Sequence, residues 1–217
     1  MTQTVPAALG LHGVTLELPG RTFVHDLTLA IGPGEIVTIM GPSGAGKSSL
    51  LAYIGGFLAP PFVASGDVTI GTQRLNGLLP HERPVGILFQ DDLLFPHFSV
   101  AGNLLFGLHA AVRGVSQRRH EVERALADAG LAGFAERDPA TLSGGQRARV
   151  ALLRTLLARP RALLLDEPFS KLDDALREDI RDFVFSRARS FGLPTLLVTH
   201  DERDAHAAGG RVVNLDS

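Results

Sequence analysis

The segment Gly41-Pro42-Ser43-Gly44-Ala45-Gly46-Lys47-Ser48 constrains this chain more than any other feature. It fits the pattern G-x-x-x-x-G-K-[ST] and lies between two stretches of opposite backbone character. Before it, Glu35–Met40 is a short apolar run rich in β-branched residues, which predicts a buried strand. After it, Lys47–Leu58 resumes with helical apolar spacing. Glycines let the loop curl so that successive N–H groups point at phosphate oxygens, and the helix start adds its positive end. Lys47 then reaches the outer phosphates and the Ser48 hydroxyl ligates Mg²⁺. The chain uses arginine almost throughout; its only lysines are Lys47 and Lys171. Retaining lysine at position 47 fits a site that needs a compact point charge rather than a planar fork. The pattern implies a strand–loop–helix unit that binds a nucleoside triphosphate.

The rest of the sequence supplies the sheet that such a unit needs. Leu11–Leu18 and Arg21–Ile31 read as strands with Pro19-Gly20 as the turn, and Asp67–Ile70 with Gln73–Leu75 as a hairpin around Gly71. Val85–Phe89, Ala162–Leu165 and Thr195–Thr199 read as short buried strands, and Leu172–Ser190 as a helix. From about Asp92 to Leu157 the character is helical, with Gln117–Ala129 the clearest segment and Asp138-Pro139 a break. Strands alternating with helices predict an α/β fold with a parallel core sheet, an antiparallel N-terminal flank and a helical insertion. With 217 residues and no internal repeat or linker, one domain over 1–217 is expected, with the helical part at about 92–157. The net charge of −2 gives no basic excess, which argues against a nucleic-acid partner. The absence of cysteine excludes disulfides and thiolate metal sites. No signal-peptide pattern opens the chain, and its apolar runs are too short to span a bilayer.

Ala162–Leu165 runs into Asp166 and Glu167, two acids at the end of a strand. Asp166 is placed to hold Mg²⁺ through water, and Glu167 to polarise the attacking water as a general base. Leu142-Ser143-Gly144-Gly145-Gln146 precedes a helical run, with Ser143 and Gln146 at capping-box spacing, so two glycine N–H groups at a helix start can address an anion. Together with Gln90 after a buried strand, Asp166-Glu167-Pro168, Ser170-Lys171-Leu172-Asp173 and His200 after the last strand, the sequence resembles the ABC transporter ATP-binding subunits over nearly its whole length. Phe89-Gln90-Asp91-Asp92-Leu93-Leu94-Phe95-Pro96-His97 and Gln146–Arg154 are most similar to the Ynj-type bacterial importer ATPases.

The resemblance implies a P-loop ABC ATPase fold, and ATP and Mg²⁺ bound by Gly41, Pro42, Ser43, Gly44, Ala45, Gly46, Lys47, Ser48 and Ser49, with Ser48, Gln90 and Asp166 at the metal. It implies catalysis by Glu167, His200 and Gln90. It also implies a homodimer in which Ser143, Gly144, Gly145, Gln146 and Asp173 approach the nucleotide of the other copy. Further implied partners are transmembrane permease subunits and a periplasmic substrate-binding protein, with the chain peripheral on the cytoplasmic face of the bacterial inner membrane. The segment Leu93–Phe98 is expected to form part of the surface that docks the permease. Two departures stand out. The aromatic residue that the family places near the end of the first strand, to stack on adenine, is replaced by Leu18; Phe23 is a candidate substitute, but its spacing does not match the family's. The sequence runs about 17 residues beyond His200, so the β-rich regulatory domain of some importer ATPases is not expected. A short ABC ATPase of a cell-division or lipoprotein-extraction complex is the alternative reading. A silent nucleotide-binding scaffold would not need Lys47, Glu167 and His200 together.

Overall fold

Three short apolar runs from distant parts of the chain lie side by side as the centre of a parallel sheet. In the computed structural model, which describes residues 7–215, the strands are β1 (Leu9–Leu18), β2 (Arg21–Ile31), β3 (Ile36–Met40), β4 (Val63–Ile70), β5 (Gln73–Arg74), β6 (Val85–Leu88), β7 (Ala162–Asp166), β8 (Thr195–Val198) and β9 (Val212–Asn214). The helices are α1 (Lys47–Gly55), α2 (Val100–Gly107), α3 (Val115–Asp128), α4 (Gly144–Leu157), α5 (Asp174–Ser190) and α6 (Glu202–Ala208). The parallel sheet has the order β6-β7-β8-β3-β9 and the antiparallel sheet β2-β1-β4-β5. This is the α/β architecture that the sequence predicts.

The chain divides into two compact units. The first holds residues up to Ile87, Arg161–Glu167 and Phe185 onward. Its core joins Leu9, Leu11, Val14 and Leu16 of β1 to Val37 and Ile39 of β3, Leu164 of β7 and Leu196 and Val198 of β8. All four residues of β8 are buried, as are Ala162–Leu165 of β7, which is why these strands read as unbroken apolar runs. β1 begins at Leu9, two residues before its expected start, because Leu9 pairs with Ile31 on one side and Ile70 on the other. Helix α1 ends at Gly55 rather than Leu58. Gly56 takes a left-handed conformation (φ 83°), and the N–H groups of Gly56 and Phe57 return to the carbonyls of Tyr53 and Ala52.

The second unit holds Leu88–Pro160 and Pro168–Val184. It packs α2, α3 and α4 around Val100, Leu104, Val122, Leu126, Val150 and Leu153. The expectation of helix from Asp92 onward needs correction: the segment between β6 and α2 is not helical, and α2 begins only at Val100. Asn103, fully buried, explains the difference. Its Oδ1 accepts from the Phe95 N–H (2.8 Å), and its Nδ2 donates to the carbonyls of Phe95 (3.1 Å) and Ser99 (3.1 Å). A side chain has taken the backbone groups that a helix would pair, and Pro96 has no N–H to offer.

Candidate functional site

Because the core strands are parallel, their carboxyl ends share one edge, where open α/β sheets place their ligands. Residue 39 of β3 and Asp166 of β7 both stand opposite Val198 of β8. The loop after β3, the acids ending β7 and the residues after β8 are therefore neighbours although they lie far apart in sequence.

The loop after β3 is built by its glycines. Gly41, Gly44 and Gly46 have φ of 154°, 80° and 88°. A Cβ on Gly41 would stand 2.7 Å from the backbone carbonyl oxygen of Leu215, which cannot move aside, so no other residue fits there. Lys47 opens α1 and is only 6% exposed; its ammonium donates to the carbonyls of Gly41 (2.8 Å) and Pro42 (2.9 Å). The charge is thus held across the loop it belongs to. Ser48 Oγ donates to Asp166 Oδ1 at 2.9 Å, joining residues 118 apart in sequence. Burial pushes the Asp166 carboxyl above its ordinary range. The Ser48 hydrogen bond and Lys47 pull against that, and the Glu167 charge adds to it.

Glu167 has φ 45°, a left-handed conformation that costs a residue with a Cβ about 1 kcal/mol or more. Its N–H donates to the Val198 carbonyl at 2.9 Å, which fixes the turn out of β7. Its Oε1 lies 3.1 Å from His200 Nδ1. His200 is exposed, but the residue before it is not: Thr199 is 2% exposed, accepts from the Asp201 N–H (3.1 Å) and donates to the buried Asp204 (3.1 Å). Asp204 thereby anchors the turn that carries His200. Sequence reasoning missed this support, although an acid in a short helix starting two residues after a histidine was a usable signal.

A cavity of about 270 Å³ is bounded by Phe23, Ser43, Gly44, Gly46, Lys47, Ser48, Ser49 and Glu167. Phe23, not Leu18, is the apolar side chain on its wall. Among the described residues, no group of three His, Cys, Asp or Glu could hold a metal ion unaided. A cation here needs the Ser48–Asp166 pair and oxygens from a ligand.

The remaining sequence candidates belong to the second unit. Ser143 caps α4: its Oγ accepts from the Gln146 N–H (3.3 Å), and Gln146 Oε1 accepts from the Ser143 N–H (3.0 Å). Gly145 is buried, and a Cβ there would meet Leu176 at 2.6 Å, so packing against α5 already requires glycine. Gly144 has only ordinary contacts around it. Asp173 caps α5, its Oδ1 accepting from the Leu176 N–H at 2.9 Å. Gln90 is exposed two residues beyond β6. The structure therefore gathers residues 41–49, Asp166, Glu167 and His200 in one unit, and Gln90, Ser143–Gln146 and Asp173 in the other.

Strand, glycine loop, buried lysine and the serine–aspartate pair define the chain as a P-loop nucleotide-binding protein. The chain belongs to the ABC transporter family, whose model matches residues 24–170, and membership implies ATP binding and ATPase activity. It is 50% identical over 199 residues to the uncharacterized ABC transporter ATP-binding protein YnjD of Escherichia coli, covering 92% of this chain and 91% of that one. It is 42% identical to the spermidine/putrescine import ATP-binding protein PotA of Pseudomonas aeruginosa (95% of this chain, 56% of that one). It is also 42% identical to the maltose/maltodextrin import ATP-binding protein MalK of Salmonella typhimurium (97% and 56%). The chain thus spans little more than half the length of these two import proteins. No helix among the described residues is long and apolar enough to cross a membrane.

Proposed function

We propose that the chain is the ATP-hydrolysing subunit of a bacterial importer for a small solute, forming a single ABC ATPase domain with an inserted helical subdomain. The observation that carries the catalytic part is the hydrogen bond between Ser48 and Asp166 beside the Lys47 ammonium. Two hard oxygen donors 2.9 Å apart, one a carboxylate whose charge burial disfavours, suit a divalent cation. Ser48 and Asp166, with Gln90, would hold Mg²⁺, which when bound neutralises phosphate charge. Residues 41–49 bind and orient the triphosphate. Glu167 takes the proton of the attacking water, and His200 steadies the carboxylate that does so. Ser143, Gly144, Gly145, Gln146 and Asp173 of a second copy complete the site in an ATP-bound homodimer.

The names of the import relatives support the transport role. So does an exposed apolar patch on the second unit formed by Leu93, Phe95, Phe98 and Phe106. We read this patch as part of the seat for transmembrane permease subunits, with the chain peripheral on the cytoplasmic face of the membrane and a periplasmic binding protein supplying the solute. The test is ATP hydrolysis with and without Mg²⁺, followed by size-exclusion chromatography of the Glu167→Gln variant with and without ATP. Mg²⁺-dependent turnover and an ATP-dependent dimer are expected; a monomer under all conditions would refute the two-copy site.

A further inference from the structure

A nucleotide has a charged end and a flat aromatic end, and the cavity beside the phosphate loop has a wall suited to each. Lys47, Ser48 and Ser49 on its lining suit the charged end. Phe23 of β2 lines the same cavity, half-buried and backed by Phe62, with ring centroids 5.4 Å apart and planes tilted by 57°. The Arg21 guanidinium lies over the Phe23 ring, 4.4 Å from its centroid, and donates from Nη2 to the carbonyl of Gly44 in the phosphate loop (3.3 Å). Arg21 is exposed, so the outer side of this layer faces solvent, and its bond to Gly44 ties it to a residue that lines the cavity. Gly46 explains the close fit: a Cβ there would lie 2.7 Å from the Cβ of Phe23. Leu18 is half-buried at the end of β1 and does not line the cavity.

We propose that Arg21 and Phe23 together form the seat of the nucleotide base, a stacked cation–arene layer on β2 that does the work of an aromatic on β1. The proposal rests on the reading of the cavity as a nucleotide site and names how its base is held. Aromatic rings and guanidinium planes both accept a base face to face. Stacking engages the π-face that every base has and does not read the edge atoms that distinguish adenine from guanine. The seat therefore takes GTP as well as ATP.

The chain contains no tryptophan, so Phe23→Trp places its single tryptophan at the seat, where selective excitation reads it apart from Tyr53. ATP and GTP are expected to quench its fluorescence, and inorganic tripolyphosphate, which has no base, to bind without quenching. By calorimetry, Phe23→Ala and Arg21→Ala should each weaken ATP binding about tenfold and leave tripolyphosphate affinity within about twofold. Unchanged ATP affinity in Phe23→Ala overturns the proposal. Equal loss of ATP and tripolyphosphate in either variant also overturns it, because the residue then acts on the phosphates or on the loop. Quenching by ATP with none by GTP would overturn the stacked seat, because stacking does not distinguish the two bases. If tripolyphosphate fails to bind the unaltered protein, the phosphate reading itself falls, and that result is distinct from all the others.

Discussion

The carboxylate of Glu167 and the imidazole of His200 meet at 3.1 Å, each delivered by the residue or two that follow a buried parallel strand. Glu167 is held by its strained backbone and its N–H bond to Val198, His200 by the buried Thr199–Asp204 pair. Glu167→Gln keeps that geometry and removes the base. We expect ATP affinity within a few-fold of the original and turnover lower by about 10²–10⁴. ATPase rates and equilibrium ATP binding, measured on the same preparation, check this. Loss of binding together with turnover would instead make Glu167 a ligand-holding residue.

Lys47→Ala should abolish ATP binding, and Lys47→Arg should fail to restore it. The ammonium fits between the carbonyls of Gly41 and Pro42 at 2.8 and 2.9 Å in a position with almost no solvent access. A guanidinium is larger and planar and cannot present the same point charge there. Near-normal ATPase activity in the arginine variant would show that only the charge matters.

Asp166 provides a trade between stability and function. Burial raises its carboxyl in the folded state, so the folded chain binds that proton more tightly than the unfolded chain does. Its favourable contribution is present at low pH and is lost as pH rises from the ordinary carboxylate range through the raised value. At neutral pH without nucleotide, the ionised form costs stability. Asp166→Asn removes that cost and keeps an acceptor for the Ser48 hydroxyl. We expect its melting temperature without nucleotide to rise by about 2 °C, and the further rise on adding Mg²⁺ and ATP to disappear. A variant that melts lower without nucleotide would mean that the hydrogen bond needs the charge.

The site was legible in sequence where its chemistry is local. The phosphate loop carries its glycines, lysine and serine within eight residues, and the strands around it are buried on both faces, so their runs are unbroken. What depends on side chains from elsewhere was not legible. The helical reading of Asp92–Ser99 failed because Asn103 claims the backbone groups of Phe95 and Ser99. The contact of Phe23 with the cavity depends on how β2 lies beside Gly46, which residue spacing does not encode. The ion pair between Lys171 and Asp91 joins residues 80 apart, and nothing in either neighbourhood foretells it.

The apolar patch on the second unit gives the last prediction, and its rigidity is the reason to make it. Leu93, Phe95, Phe98 and Phe106 are 56%, 36%, 45% and 67% exposed, which is costly for four large apolar side chains. The patch is nevertheless held firmly. Asn103 pins the backbone of Phe95, and Arg154 donates to the carbonyls of Leu93 (2.8 Å) and Asp92 (3.1 Å) while lying over the Phe95 ring. Phe95 packs edge-on against both Phe98 and Phe106. A surface built in advance in this way loses little entropy when a partner covers it. Leu94 packs against the helical core and is a poor probe, because a charge there would damage folding. Leu93→Glu and Phe106→Glu test the patch without that penalty. Each should leave the melting temperature within about 2 °C and basal ATPase activity within twofold. Each should also abolish co-purification with the transmembrane permease subunits proposed as partners. Co-purification that survives both charges would exclude this patch as the docking surface, and its exposed phenylalanines would then need another occupant.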